Sequence, residues 1–379
     1  MVNHNLISQA FALALLLFTI GMLSSDRVQA SETLKVGIMV GKLTNTTSTS
    51  NKEKLCVLNA LTDEVSASRR NVEFTFVSND RTAHGSALAA HSLVDQGVDI
   101  ALLPLVSHEA EIAARILNQH DIAFVTSATA KSVIKDPSMG LSIMPSNKHQ
   151  IKLLSDYYLS HYSTKTAHVL IDNSRQYSKQ SALAFIKQLT AHSEPIKFKK
   201  YDYSMSNADD IVGALPNNAV VFAPLYNPNI AVLYNAMKDS GKSFTILGTD
   251  SVGARKEFFQ TIGTTSPNIN LYFVKNWDGI PKSDNRSALN SISNTFCSQN
   301  QATFLTTYTY DLFNFLIAGY DSKPQSSPQD LIESLKQLKF ETVMDGEPLA
   351  FDAAGYSKKP LYLFSVQNDQ VRYLSKLTD

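Results

Sequence analysis

Two hydrophobic periods alternate along this chain, and their alternation predicts the fold. LKVGIMV (34–40) is a nearly continuous apolar run, as in a strand buried on both faces. The polar stretch GKLTNTTSTSN follows. KEKLCVLNALTDEV then places Leu55, Val57, Leu58 and Leu61 at helical spacing. VEFTFVS predicts the second strand and TAHGSALAAHSLVDQ the second helix, which Gly97 stops. DIALLP is a third buried strand and ends at Pro104, which has no N–H to donate to a ladder. Ser107 stands where an N-cap belongs, ahead of Ile112, Ala113, Ile116 and Leu117 on one helical face. That helix ends over Asn118 to Asp121. IAFVTS is the next strand, and Ser127-Ala128-Thr129 leaves it toward a second helix-like start.

LSIMP closes this half at Pro145, and the same alternation resumes. KHQIKLLSDYYLSHY, KQSALAFIKQLTAH, NADDIVGAL and NIAVLYNAMKDSG read as helices. AHVLIDN, IKFKKYDY, AVVFAP, FTILGTD and LYFVKNW read as strands. Strict βαβ order implies parallel sheets with helices on both faces and right-handed crossovers. Helices are then predicted over 288–296, 303–320 and 328–338. KPLYLFSV and QVRYL, separated by Gln367-Asn368-Asp369, form a terminal hairpin. In an open parallel sheet, ligands bind beyond the carboxyl ends of the strands, where helix N-termini offer free N–H groups. Ser107 and Thr129 are therefore the first pocket candidates.

Length, charge and the first residues narrow the class. A chain of 379 residues exceeds what one core spans, so two lobes are expected. Lys+Arg and Asp+Glu number 34 each, which removes a global electrostatic case for nucleic acid or an anionic membrane surface. AFALALLLFTIGML (10–23) is too short to span a bilayer, and Val28-Gln29-Ala30 precedes a plausible cleavage point. Residues 1–30 are read as a cleaved leader, with the product exported and not lipidated. Cys56 and Cys297 are the only cysteines, either bridged in an oxidising compartment or two buried thiols. No convergent ligand set for a metal is seen. Catalytic motifs are absent or out of context: Ser132-Val133-Ile134-Lys135 fits S-x-x-K, but no K-T-G follows.

Six segments in order carry a resemblance to a known family. VDQGVDIALLPLVSHEAEIAARILNQHDIAFVTSATA looks like a strand, a "G-P-x-x-S" loop, a helix and an "S-x-A-T" loop. VLIDNSRQYSKQSALAF is similar to a "D-x-x-x-Y-G" segment, and FAPLYNPNIAVLYNAMKDSGKSFTILGTDSVG to a "Y-x-P" and "G-x-E-G" pair. TTYTYDLFNFLIAGY matches a "Y-D-A" helix, VMDGEPLAFDAAGYSKKPLYLFSV a "G-x-x-x-F-D-x-x-G" tail, and LKVGIMV the first strand. Together they resemble the type I periplasmic binding proteins, in the branched-chain amino-acid or amide branch that serves ABC importers. The resemblance implies an α/β fold of two Rossmann-like parallel-sheet lobes joined by a three-crossover hinge. It places residues 31–145 plus 276–350 in one lobe and 146–275 plus 351–379 in the other, with passages near Pro145, Lys275 and Phe351.

By the same resemblance, a small-molecule ligand, an amino acid or amide-like compound, sits between the lobes. Ser107, the backbone at Ala128 and Thr129 would hold its carboxylate, unless Ser107 and Thr129 only cap helices. Asp250 would take its ammonium, unless it only caps the next segment. Tyr177 and Tyr226 from one lobe and Tyr310 from the other match aromatic positions that pack on ligand. Tyr308 cannot share the helical face of Tyr310. Pro104 or Leu103 where the family has Gly, and a first pocket loop without the family's Gly-rich and aromatic features, leave open an amide, a urea-like compound or a small aromatic acid. The implied protein is a monomer without cofactor and not an enzyme, working in the periplasm with an ABC permease of the inner membrane. The alternative is a sensory protein of the same fold that presents its closed state to a membrane receptor or a cell-envelope enzyme.

Overall fold

The computed structural model describes residues 33–378 except 44–48, 69, 195, 254–255, 278, 280–285, 300–301 and 323–326; the expected leader lies outside the described residues. Two sheets organise the chain. The first holds five parallel strands: β1 (Leu34–Val40), β2 (Val72–Ser78), β3 (Ile100–Leu102), β4 (Ala123–Thr126) and β5 (Gly140–Ser142), in the order β2-β1-β3-β4-β5. Every residue of β3, β4 and β5 is buried. This follows from their apolar runs, which leave no solvent face.

Helices α1 (Thr49–Ala67), α2 (Ala83–Asp95) and α3 (Ser107–Asn118) cover that sheet. Small residues govern the α2–α3 contact: Ala89 and Ala90 on one helix and Ala110, Ala113 and Ala114 on the other are buried. Short side chains let two helices approach closely, so a larger residue here would push them apart. Thr82 caps α2 by accepting from the Gly85 N–H, and Gly97 at φ +63° lies just past its end.

The second sheet holds β6 (Ala167–Ile171), β7 (Phe198–Asp202), β8 (Ala219–Ala223), β9 (Phe244–Gly248), β10 (Ile269–Lys275), β11 (Leu361–Gln367) and β12 (Gln370–Leu377), in the order β12-β11-β10-β9-β8-β6-β7. β6 to β10 run parallel, whereas β11 pairs antiparallel with β10 and with β12. The predicted terminal hairpin is therefore present. Asn368 and Asp369 turn it with φ of 50° and 58°, the left-handed pair that a two-residue hairpin needs.

The chain passes between the sheets three times. After β5 it enters α4 (Asn147–Tyr162), whose Ile151, Leu154 and Tyr158 pack in the second-sheet core. After β10 it returns, and Trp277 and the long helix α5, here given to Phe304–Ser322, join the first-sheet core. The last passage lies beyond Phe351. Tyr356 is fully buried in the first-sheet core, Ser357 N–H donates to Ser142 O at 3.0 Å, and β11 begins at Leu361. Residues 352–357 thus pack with the first lobe, although the sequence reading assigns them to the second.

Three local expectations change. Val106 occupies the N-cap of α3 without a side-chain bond, so Ser107 is the first helical residue and not the cap. No helix starts after Thr129; turns over 131–133 lead to β5, because the Ser127–Ala130 backbone is tied elsewhere. Thr249, not Asp250, takes the cap position of the 3-10 turn Asp250–Val252. Cys56 and Cys297 form a disulfide with a Cα–Cα distance of 5.3 Å, joining α1 to the end of a helix over Arg286–Thr295.

Candidate functional site

The carboxyl ends of the second-sheet strands assemble one polar wall. Asp250 follows β9, Tyr226 follows β8, Tyr177 lies in the first turn of the helix over Gln176–Thr190, and Gln150 in the first turn of α4. Tyr177 Oη lies 2.5 Å from Asp250 Oδ1 and 3.2 Å from Gln150 Oε1. A phenol has one proton, and it goes to the nearer, charged acceptor. Gln150 Oε1 in turn accepts from the Asp250 N–H at 3.4 Å. The rings of Tyr177 and Tyr226 are 5.1 Å apart, with Tyr177 buried and Tyr226 exposed by 38%.

Electrostatics sharpen this wall. Burial pushes the Asp250 carboxyl above its ordinary range, while the bonds from Tyr177 and Gln150 pull it back. Burial, then the Asp250 charge, pushes the Tyr177 hydroxyl well up, so it stays a donor. Tyr226 rises for the same two reasons, eased by Arg175. Among the described residues no cation pairs with Asp250. A carboxylate in this state is set up to receive one.

The first-sheet wall behaves differently. Ser107 Oγ accepts from the Ala130 N–H at 3.2 Å, and the Ala128 N–H donates to Thr126 Oγ1 at 3.1 Å. Thr126 Oγ1 itself donates to Pro104 O at 3.0 Å. Thr129 O accepts from the Asn147 N–H at 2.8 Å. These bonds lace the loops after β3 and β4 together. Of the three expected carboxylate donors, only the Ala128 N–H is spent as a donor; Ser107 Oγ accepts and keeps its own proton, and the Thr129 hydroxyl is without a hydrogen bond among the described residues. Beside this wall Glu109 is buried on α3, accepts from Asn79 Nδ2 at 2.8 Å and lies 3.9 Å from Arg81 Nε. His108 is exposed.

Tyr310 is not on the wall. It is buried in the first-sheet core, where Asp311 and Glu64 add to burial in raising its hydroxyl. Tyr308 instead lines a small cavity of about 40 Å³ at the ends of β1 and β3, with Val40, Leu58, Leu102, Leu105 and Leu312. Lys54 is the one charged side chain on its lining. The structure thus gathers Tyr177, Tyr226 and Asp250, keeps Ser107, Ala128 and Thr129 together on the opposite sheet, and sets Tyr310 apart. Gln150 was missed by sequence reasoning. Its signal was available: a polar residue at the inward face of the first helical turn after Pro145.

Among the described residues no cluster of His, Cys, Asp and Glu is arranged to hold a metal, and no helix is long and apolar enough to cross a membrane. The model of the receptor family ligand binding region matches residues 62–270. A leucine binding protein from Thermotoga maritima superposes with a TM-score of 0.75 at 16% identity, over 91% of this chain and 99% of that one. A branched-chain amino acid transporter substrate binding protein from Streptococcus pneumoniae, in complex with isoleucine, gives 0.70 at 17% identity over 91% and 100%. An ABC transporter solute binding protein from R. palustris, in complex with benzoate, gives 0.70 at 14% over 92% and 98%. No curated protein sequence matches.

Proposed function

The chain belongs to the family described as the receptor family ligand binding region, and from that premise we propose that it is a periplasmic solute-binding protein. It captures a small polar ligand, an amino acid or related amide, between its two lobes and delivers it to an ABC permease. It acts as a monomer, without cofactor and without covalent chemistry. Asp250 carries this reading: an acid in a wall of tyrosines, with no ion-pair partner among the described residues, recognises an ammonium group. The similar folds bound to isoleucine and benzoate support a small organic ligand.

Closure follows from the same geometry. A ligand touching both walls has contacts in the closed form that the open form lacks, and only such a difference shifts the equilibrium. Its cationic end meets Asp250 and its other end faces Thr129. Because burial raises the Asp250 carboxyl, binding weakens as acid protonates it.

A thermal-shift screen of residues 31–379 against aliphatic amino acids, their amides, urea analogues and small carboxylates including benzoate tests this. A ligand at 100 times its Kd adds about 2.7 kcal/mol, a midpoint shift of a few degrees. The expected result is a hit among amino acids. Silence across the panel with a folded protein sinks the proposal.

A further inference from the structure

Buried polar atoms without partners gather at the seam where the chain first crosses between the sheets. Asn147 opens α4, and among the described residues neither its Oδ1 nor its Nδ2 has a hydrogen-bond partner. Gln150, one turn on and on the same helical face, accepts from the Asp250 N–H on Oε1, so its Nε2 is the donor end of the amide. Among the described residues that Nε2 also has no hydrogen-bond partner within normal geometry, and neither does Ser127 Oγ on the facing loop. All three residues are more than nine-tenths buried, with exposures of 7%, 1% and 0%. The Asn147 N–H to Thr129 O bond holds helix and loop against each other, so the atoms share one place.

Unpaired buried polar groups are costly, and folded proteins retain few of them. Here they adjoin the Asp250 wall and none belongs to a repeating ladder. We propose that Asn147 and Gln150 form the floor of the ligand site, two neutral amides that together with Ser127 read a group carrying both hydrogen-bond acceptors and a donor. Nδ2 and Nε2 donate to the ligand's acceptor oxygens. Asn147 Oδ1 accepts from an N–H or O–H next to them. A hydrocarbon or a bare anion satisfies only part of this set, whereas an α-amino acid or a carboxamide satisfies all of it. The inference rests on the solute-binding reading and narrows its ligand class.

Asn147→Leu tests it, because removing an orphaned amide and removing a structural one have opposite effects on the unliganded protein. The midpoint of the unliganded variant is expected to hold or rise. Its affinity for the panel compound that most stabilises the wild type, among L-leucine, L-isoleucine, L-leucinamide, urea and benzoate, is expected to fall at least about tenfold by calorimetry. Gln150→Met serves as the second variant, with the same expected loss of affinity. A lower midpoint for Asn147→Leu overturns the inference, since the amide then serves the fold. Unchanged affinity in both variants overturns it alone and leaves the receptor reading standing. A wild type that answers to no compound removes the receptor reading and this inference with it.

Discussion

The two walls of the cleft use the same chemistry to opposite ends. On the first sheet, hydroxyls bond to backbone groups of neighbouring loops: Ser107 accepts from the Ala130 N–H, and Thr126 accepts from the Ala128 N–H and donates to Pro104 O. On the second sheet and its seam, Asp250 has no counter-charge among the described residues, and there the amides of Asn147 and Gln150 retain unpaired atoms. Rigidity and recognition are thereby divided between the walls. Loops that largely satisfy themselves, Ser127 Oγ and the Thr129 hydroxyl apart, give a fixed surface, while under the proposed function the groups left unsatisfied hold affinity in reserve for a ligand.

The first lobe also carries the disulfide, and its removal is the largest expected break in this contrast. Cys56→Ser with Cys297→Ser should cost about 2–5 kcal/mol of unfolding free energy, since a long loop is freed in the unfolded chain. Urea titration of wild type and variant measures it; no loss would mean that the self-bonded loops alone keep that lobe rigid. Next is Asp250→Asn. Affinity for an amino-acid ligand should fall about 100-fold, or roughly 2.8 kcal/mol, while the unliganded midpoint holds or rises. Equal affinity by calorimetry would mean that no ammonium binds there.

Thr126→Val attacks the other wall. It strips the partner from the Pro104 carbonyl and the Ala128 N–H, both buried, and should cost about 2 kcal/mol of stability. A value near zero in denaturant titration would show that the first wall is not held by this lacing.

A pH dependence is expected at the third passage. Asp311 on α5 is fully buried and accepts from the Val343 and Met344 N–H groups at 2.8 and 3.1 Å. Burial pushes its carboxyl up to about 7; Lys359 and those two N–H groups oppose this, and Asp345 reinforces it. Lys359 lies on the passage itself, 3.4 Å from Asp345 Oδ2. A raised folded-state value means that Asp311's contribution to stability is full below the ordinary carboxylate value of 3.8 and is lost as pH rises through about 7. The midpoint of wild type relative to Asp311→Asn should therefore fall between pH 4 and about pH 8. A flat difference would remove Asp311 as a titrating group.

Most elements were legible because they rest on local pattern. The runs at 34–40 and 244–248 have no polar face to turn outward, and Gly97 ends a helix as a left-handed residue. The 303–320 helix was expected and found over Phe304–Ser322, but its inward tyrosine was not. Tyr308 and Tyr310 differ by two positions, and which one meets the cavity depends on how the helix rolls against α1 and the sheet. The Ser107 cap failed for a similar reason. Its hydroxyl satisfies the Ala130 N–H from a loop 23 residues away, a bond that no local window contains.

Sequence alone determined the alternation of strand and helix, the parallel sheets and the closing hairpin, because hydrophobic period and turn chemistry act over a few residues; the two-lobed binding fold came from the family resemblance of six ordered segments. Tertiary structure decided the pairing of the cysteines, the reach of the first lobe to Ser357, and the meeting of Asp250 with Tyr177 and Gln150, which stand 73 and 100 positions away in the chain. It also decided which polar groups spend their bonds on the fold and which keep them. That choice depends on whether a partner from a distant segment arrives within hydrogen-bond reach, and distance in space is not written in the order of residues.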